Sequence, residues 1–190
     1  MTGNAASDLV LALVCGWLVI TRRARQPGLG MAALLVGLAA SLGVLRFSGV
    51  EALAGAHRFA SLVSACAGFP LLAWSLRWRQ DPIVATCTGA SRAALLAAGI
   101  GVGATVLGLA LWGQGVALLS ALVIAVTAIQ RREAVGLAGA AVLLVGIGAA
   151  AAGRAAPFNS TVVLHLGLAA ALGLLALASD RLGRRPALIE

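Results

Sequence analysis

Seven apolar stretches, roughly 5–21, 29–47, 52–76, 91–112, 115–130, 134–153 and 159–179, occupy nearly the whole 190-residue chain and are parted only by short polar links. A bilayer core about 30 Å thick is crossed by about 20 apolar helical residues, so every stretch except the short fifth spans it with little tilt. Hydrophobic residues are 61% of the sequence and charged residues 11%, which excludes a soluble globule with an ordinary polar surface. With no water in the hydrocarbon to satisfy backbone groups, such stretches must be helical. The sequence thus predicts one all-α domain over residues 1–190, a polytopic bundle of seven transmembrane helices.

All fourteen basic residues are arginines. Arg22, Arg23, Arg25, Arg77, Arg79, Arg92, Arg131, Arg132, Arg181, Arg184 and Arg185 fall at one side of the stack, and only Arg46, Arg58 and Arg154 at the other. The positive-inside rule then predicts the N-terminus outside and the C-terminus in the cytoplasm, in a plasma membrane of the bacterial inner-membrane kind. Residues 1–7 carry no basic side chain, so the first segment reads as a retained span and not a cleaved signal. The net charge of +8 is spread singly and in pairs over segment ends, a pattern that suits anionic lipid and excludes a continuous nucleic-acid surface. Trp78 and Trp112 fall at segment ends, where indole favours the interface.

Cys15, Cys66 and Cys87 lie far apart without CxxC spacing, so the expectation is buried thiols, neither a disulfide framework nor a zinc knuckle. Glycines at Gly99–Gly103, Gly136–Gly139 and Gly146–Gly148 predict close helix packing inside the bundle, with an oligomer face as the other use of Gly99 and Gly103. Thr105, Ser120 and Thr127 read as helix–helix glue. The order of spans also allows two parallel three-helix halves joined by the fourth.

The polar residues that remain gather at the arginine-poor side. A rise of about 1.5 Å per residue puts Asp8 roughly 21 Å above Arg22, His165 roughly 24 Å above Arg181 and His57 roughly 30 Å above Arg77. Arg46 and Arg58 share that layer, and either is the natural partner for Asp8, since ionisable groups at membrane depth face an interior with a partner. His57, Ser61, Ser64 and Gly68 follow helical spacing and predict a polar stripe on the third span; Thr161 and His165 share a face of the seventh. Each has a plainer reading. Ser7–Asp8 and Asn159–Ser160 suit helix caps, and Arg46 and Arg58 suit snorkelling to headgroups.

Two histidines and a carboxylate on different spans, Asp8, His57 and His165, have the ligand types of a water-activating zinc site. Two histidines at similar depth also suit one haem b. A retinal Schiff base is excluded because the chain has no lysine. Transport by broken helices lacks its signal, Pro70 being the one deep proline.

Ser7–Asp8–Leu9 opening the first span, Leu42–Gly43–Val44–Leu45–Arg46–Phe47 closing the second, and Phe158–Asn159 followed by His165 give the chain its one family likeness. It resembles small bacterial seven-helix proteins related to the superfamily of alkaline ceramidases, adiponectin and progestin receptors and haemolysin III proteins. The resemblance implies seven helices and a zinc site for lipid amide hydrolysis, built from histidines of the second and seventh helices with an acid and a serine. The departures are specific. Arg46 stands where the pattern has a histidine, and Ser160 and Thr161 stand where it has another ahead of His165, so a three-histidine centre is not available.

The expected function is therefore non-catalytic: a membrane protein that binds a lipid or small ligand near the outer leaflet, or a subunit or homo-oligomer in a larger assembly. Asp8, Arg46, His57, Arg58, Asn159 and His165 are the candidate ligand-binding residues, without metal or cofactor. The alternatives are a metal-dependent hydrolase of lipids using Asp8, His57 and His165 with zinc, and a haem-bearing electron carrier.

Overall fold

The computed structural model describes residues 2–153 and 159–183, which leaves Arg154, Arg184 and Arg185 outside the described residues. Among the described residues seven helices are long and apolar enough to cross a membrane: α1 (Gly3–Arg22), α2 (Pro27–Phe47), α3 (Glu51–Arg77), α4 (Cys87–Val106), α5 (Trp112–Gln130), α6 (Ala134–Ala152) and α7 (Ser160–Leu182). No strand occurs among the described residues.

Local chemistry sets the ends. The Thr2 hydroxyl accepts from Ala5 N–H at 3.3 Å and starts α1, Pro27 opens α2, and Thr86 accepts from Gly89 N–H at 3.0 Å at the head of α4. A single turn, Pro82–Ala85, capped by Asp81, leads into α4. The fourth and fifth spans are displaced from the sequence expectation. Gly108 adopts φ +81°, a left-handed conformation that ends α4 in the manner of a glycine C-cap, so Trp112 opens α5 instead of closing α4.

The third span is not a uniform helix. It begins as a 3₁₀ turn, Glu51–Leu53, and widens into a π turn at Ser64–Gly68, where Phe69 N–H bonds Ser64 O, five residues back. Pro70 comes immediately after and has no N–H to offer the carbonyl of Cys66. Widening the preceding turn is one of the few ways a spanning helix absorbs that loss.

Six helices close a ring in the order α1, α2, α3, α5, α6, α7, with α7 packed back on α1; α4 lies outside, against α2 and the π turn. Leu18, Leu72, Ile124, Leu143 and Leu175 fill the interior, while Leu13, Ile20 and Leu95 are 65%, 84% and 74% exposed on the outside. An apolar exterior suits acyl chains, which also means that burial in the interior is driven by close packing and not by escape from water. Glycines supply the closeness. A Cβ on Gly139 would stand 2.9 Å from Leu175, and one on Gly37 would stand 2.8 Å from the Cβ of Cys15.

In α4 the internal packing expected of the glycines holds for Gly101 alone, which meets Cys66, with its Cβ 2.6 Å from the place a Gly101 Cβ would take; Gly99 and Gly103 face open space because the helix is outermost. For the same reason Cys87 is exposed, while Cys15 and Cys66 are buried. Thr105 and Ser120 do not join helices: each hydroxyl donates to its own helix, to Gly101 O at 2.9 Å and Val116 O at 2.8 Å. Thr127 does join them, accepting from Arg77 Nη1 at 3.1 Å.

Candidate functional site

The starts of α1, α3, α5 and α7 and the end of α2 converge at the arginine-poor end of the ring, around a cavity of about 170 Å³. Its walls are mostly apolar, with Leu11, Val36, Phe69, Ile147 and Leu168 among them, and its polar groups are Asp8, His57, Ser61, Ser64, Gln114 and His165. That mixture of an apolar wall and a few convergent polar groups is the composition of a small-molecule pocket.

Asp8 is 1% exposed. It stands in the second turn of α1 and is not a cap, since Thr2 starts the helix further back. Its carboxylate rests against Gly43 of α2, where a Cβ would come within 2.7 Å of the Asp8 Cγ; only glycine leaves room. The expected arginine partner is replaced by a histidine: His165 Nδ1 lies 3.0 Å from Asp8 Oδ1. Asp8 and His165 sit on α1 and α7, which pack directly, whereas Arg46 lies at the end of α2 with its guanidinium 4.9 Å over the Phe47 ring. Arg58 is exposed, its Nε donating to Ala54 O at 3.3 Å on its own helix. Neither arginine reaches the cavity.

The hydrogen bonds fix the rings. Ser7 donates its proton to Asn4 O at 2.9 Å, so its lone pair faces His165 Nδ1 at 3.4 Å, beside the carboxylate. A hydroxyl oxygen and a carboxylate oxygen beside Nδ1 suit the tautomer that carries its proton there, which leaves Nε2 for another partner. The 3.0 Å contact is poorly aligned with that N–H, however, and both Asp8 oxygens remain buried without an aligned donor among the described residues. On the opposite wall His57 Nδ1 lies 3.1 Å from Ala39 O, a pure acceptor, so this ring too donates from Nδ1. His57 packs edge-on to Phe47, centroids 5.8 Å apart, and its own carbonyl accepts from Ser61 at 2.8 Å.

The polar stripe expected on α3 reaches the cavity in part. His57, Ser61 and Ser64 line it, but the π turn adds a residue and rotates the remainder of the helix, so Ala65 and Phe69 take the next places on the wall. Gly68 instead packs against Ala32 and Val36 of α2. Asn159 is a cap: its Oδ1 accepts from Val162 N–H at 3.3 Å, and its Nδ2 donates to Asn4 Oδ1 at 2.9 Å, tying the start of α7 to that of α1. Gln114 was not singled out by sequence, where it fell in the link between the fourth and fifth apolar stretches; it lies in the first turn of α5. Ser7 and Gly43 were seen only as a cap and as part of a motif, because what they touch lies on other helices.

The zinc that the family resemblance implies does not fit these residues. Asp8 and His165 meet, but among the described residues no three of His, Cys, Asp and Glu come together as a metal-binding group. The fold and site thus define a multi-pass helical membrane protein with a mostly apolar cavity at one end that carries a few convergent polar groups. Comparison with protein-family models, curated proteins and solved structures finds no match.

Proposed function

We propose that the chain is a non-catalytic binding protein of the plasma membrane, N-terminus outside, which holds a small molecule with an apolar body and a cationic or hydrogen-bond-donating head in the cavity near the outer leaflet. The observation that carries this reading is the Asp8 carboxylate, 1% exposed, on the cavity wall and without an aligned donor among the described residues. A buried charge so placed costs several kcal/mol unless a proton, a cation or donors compensate it. His165 at 3.0 Å compensates in part, and a ligand ammonium would complete the task.

Size points the same way. A cavity of about 170 Å³ is close to the engineered 150 Å³ cavity that binds benzene, so it suits one ring or a short chain and not a lipid tail. Nε2 of His57 and of His165 and the amide of Gln114 offer the remaining hydrogen bonds. The sign of the site favours a cation: Asp8 is the one carboxylate among its described lining residues, and the cationic Arg46 and Arg58 stand off it.

Thermal unfolding of the detergent-purified protein with benzylamine, benzyl alcohol and benzoate tests this. Benzylamine raises Tm most, benzyl alcohol less and benzoate not at all, and Asp8→Asn removes the benzylamine effect. At a ligand concentration of 100 Kd the stabilisation is about 2.7 kcal/mol. Stabilisation by benzoate, or an undiminished benzylamine effect in D8N, would show the reading to be wrong.

A further inference from the structure

At the other end of the ring a second recess, of about 490 Å³, is framed by the link after α3, the end of α5 and the residue just after α7; its polar lining includes Arg77, Arg79, Asp81, Gln130 and Arg131. Three guanidiniums therefore face one carboxylate, and that carboxylate, Asp81, accepts from Ile83 N–H at 2.9 Å as the cap of the Pro82–Ala85 turn. Of the acids near this end, Asp180 is shared by Arg79 at 2.7 Å and Arg22 at 3.3 Å, and Glu133 pairs with Arg181 at 3.5 Å. Arg77 is fixed by donating to Thr127 at 3.1 Å and Gln130 at 2.9 Å and by lying 4.9 Å over the Trp78 ring. Arg131 reaches back to the carbonyl of Arg77 at 3.4 Å through Nη2, while its Nη1 is buried with no partner among the described residues. Burial first, and then the charge of Arg77, lower the proton affinity of Arg131, as expected where two like charges share a partly desolvated site.

We propose that this recess binds a phosphate-type oxyanion, with Arg131 Nη1 as the donor that completes the site and Arg77 and Arg79 supplying the flanking charge. A tetrahedral oxyanion offers several acceptors to planar guanidinium forks, meets the unpartnered donor and offsets the local excess of positive charge. It has two sources at a membrane surface: the headgroup of an anionic lipid, for which the exposed Trp78 marks a suitable depth, and a free phosphate in solution.

Native mass spectrometry of the purified full chain, titrated with phosphatidylglycerol and phosphatidylcholine, with and without millimolar inorganic phosphate, separates them. The intact protein retains phosphatidylglycerol about tenfold better than phosphatidylcholine, the size of effect one charge-assisted hydrogen bond gives, and Arg131→Gln abolishes the preference. Arg132→Gln, at an exposed residue outside the recess with the same change of charge, keeps it. Displacement of the lipid by phosphate, or binding of phosphate alone, assigns the site to the soluble anion; persistence of the lipid assigns it to the headgroup. Equal retention by R131Q and the parent, equal loss in R131Q and R132Q, or no binding of either probe overturns the proposal. Should R131Q not fold, Arg131→Lys keeps the charge, removes the planar fork and must still weaken binding several-fold.

Discussion

Asp8 holds its carboxyl group fully buried inside the bundle, and the backbone opposite makes that possible. A methyl at Gly43 would occupy the space of the carboxylate, its Cβ falling 2.7 Å from the Asp8 Cγ, and Asp8 is too short and too enclosed to turn away. Gly43→Ala is therefore expected to destabilise the protein by about 1–3 kcal/mol, as overpacking does. Asp8→Ala removes the obstacle, so the double variant G43A/D8A should be more stable than the sum of the single effects by about 0.5–3 kcal/mol, the range for residues in contact. Detergent-phase denaturation of the four proteins measures this coupling; additivity would mean that the two residues do not share the space. The depth of Asp8 was legible in the sequence from the distance to Arg22. Its partner was not, because nothing in the spacing of one helix says which neighbour packs against it, and α7 stands beside α1 where Arg46 of α2 and Arg58 of α3 do not reach.

At the scale of elements, α3 shows what helical periodicity reads and what it misses. His57, Ser61 and Ser64 keep α spacing and reach one wall together, as the sequence predicts. Gly68 departs because the Ser64–Gly68 turn carries an extra residue, for which only Pro70 gave a signal. The end of α4 was missed likewise: Gly108 ends the helix through its backbone conformation, while the apolar run continues across it. The π turn also makes a prediction unusual for a spanning helix. Deleting Ala65 lets the turn close with ordinary α bonds while both halves keep their faces, so the variant should fold with a lowered Tm and lose benzylamine binding through its altered wall. Deleting Ala73 in the regular helix would rotate Arg77 by about 100° away from Thr127. That variant should give no folded protein by size-exclusion profile, and similar behaviour of the two deletions would mean that the π turn is not a discrete insertion.

For the whole molecule, the charged ends and the cysteines together make orientation testable. The described arginines other than Arg46 and Arg58 lie at the end where α1, α3, α5 and α7 finish and α2, α4 and α6 begin, so the orientation proposed from the positive-inside rule has this end, with the proposed anion recess, in the cytoplasm. The ligand cavity then opens towards the outer leaflet. Seven spans were countable from hydrophobic runs because the bilayer fixes their length, but the ring order and the peripheral place of α4 depend on side-chain fit that no run encodes. That place now supplies the probe. Cys15 and Cys66 are 0% and 3% exposed, and Cys87 is exposed in the first turn of α4 at the arginine-rich end. A maleimide that cannot cross membranes reacts with accessible thiolate and not with thiols buried in apolar surroundings. In intact cells the parent chain should therefore stay unlabelled, and after permeabilisation it should take one label, lost in Cys87→Ser. Adding Ser48→Cys to that variant places a thiol in the exposed link between α2 and α3, which should label without permeabilisation. Labelling of Cys87 in intact cells with protection of the new thiol would invert the molecule and move the Asp8 cavity to the cytoplasmic leaflet.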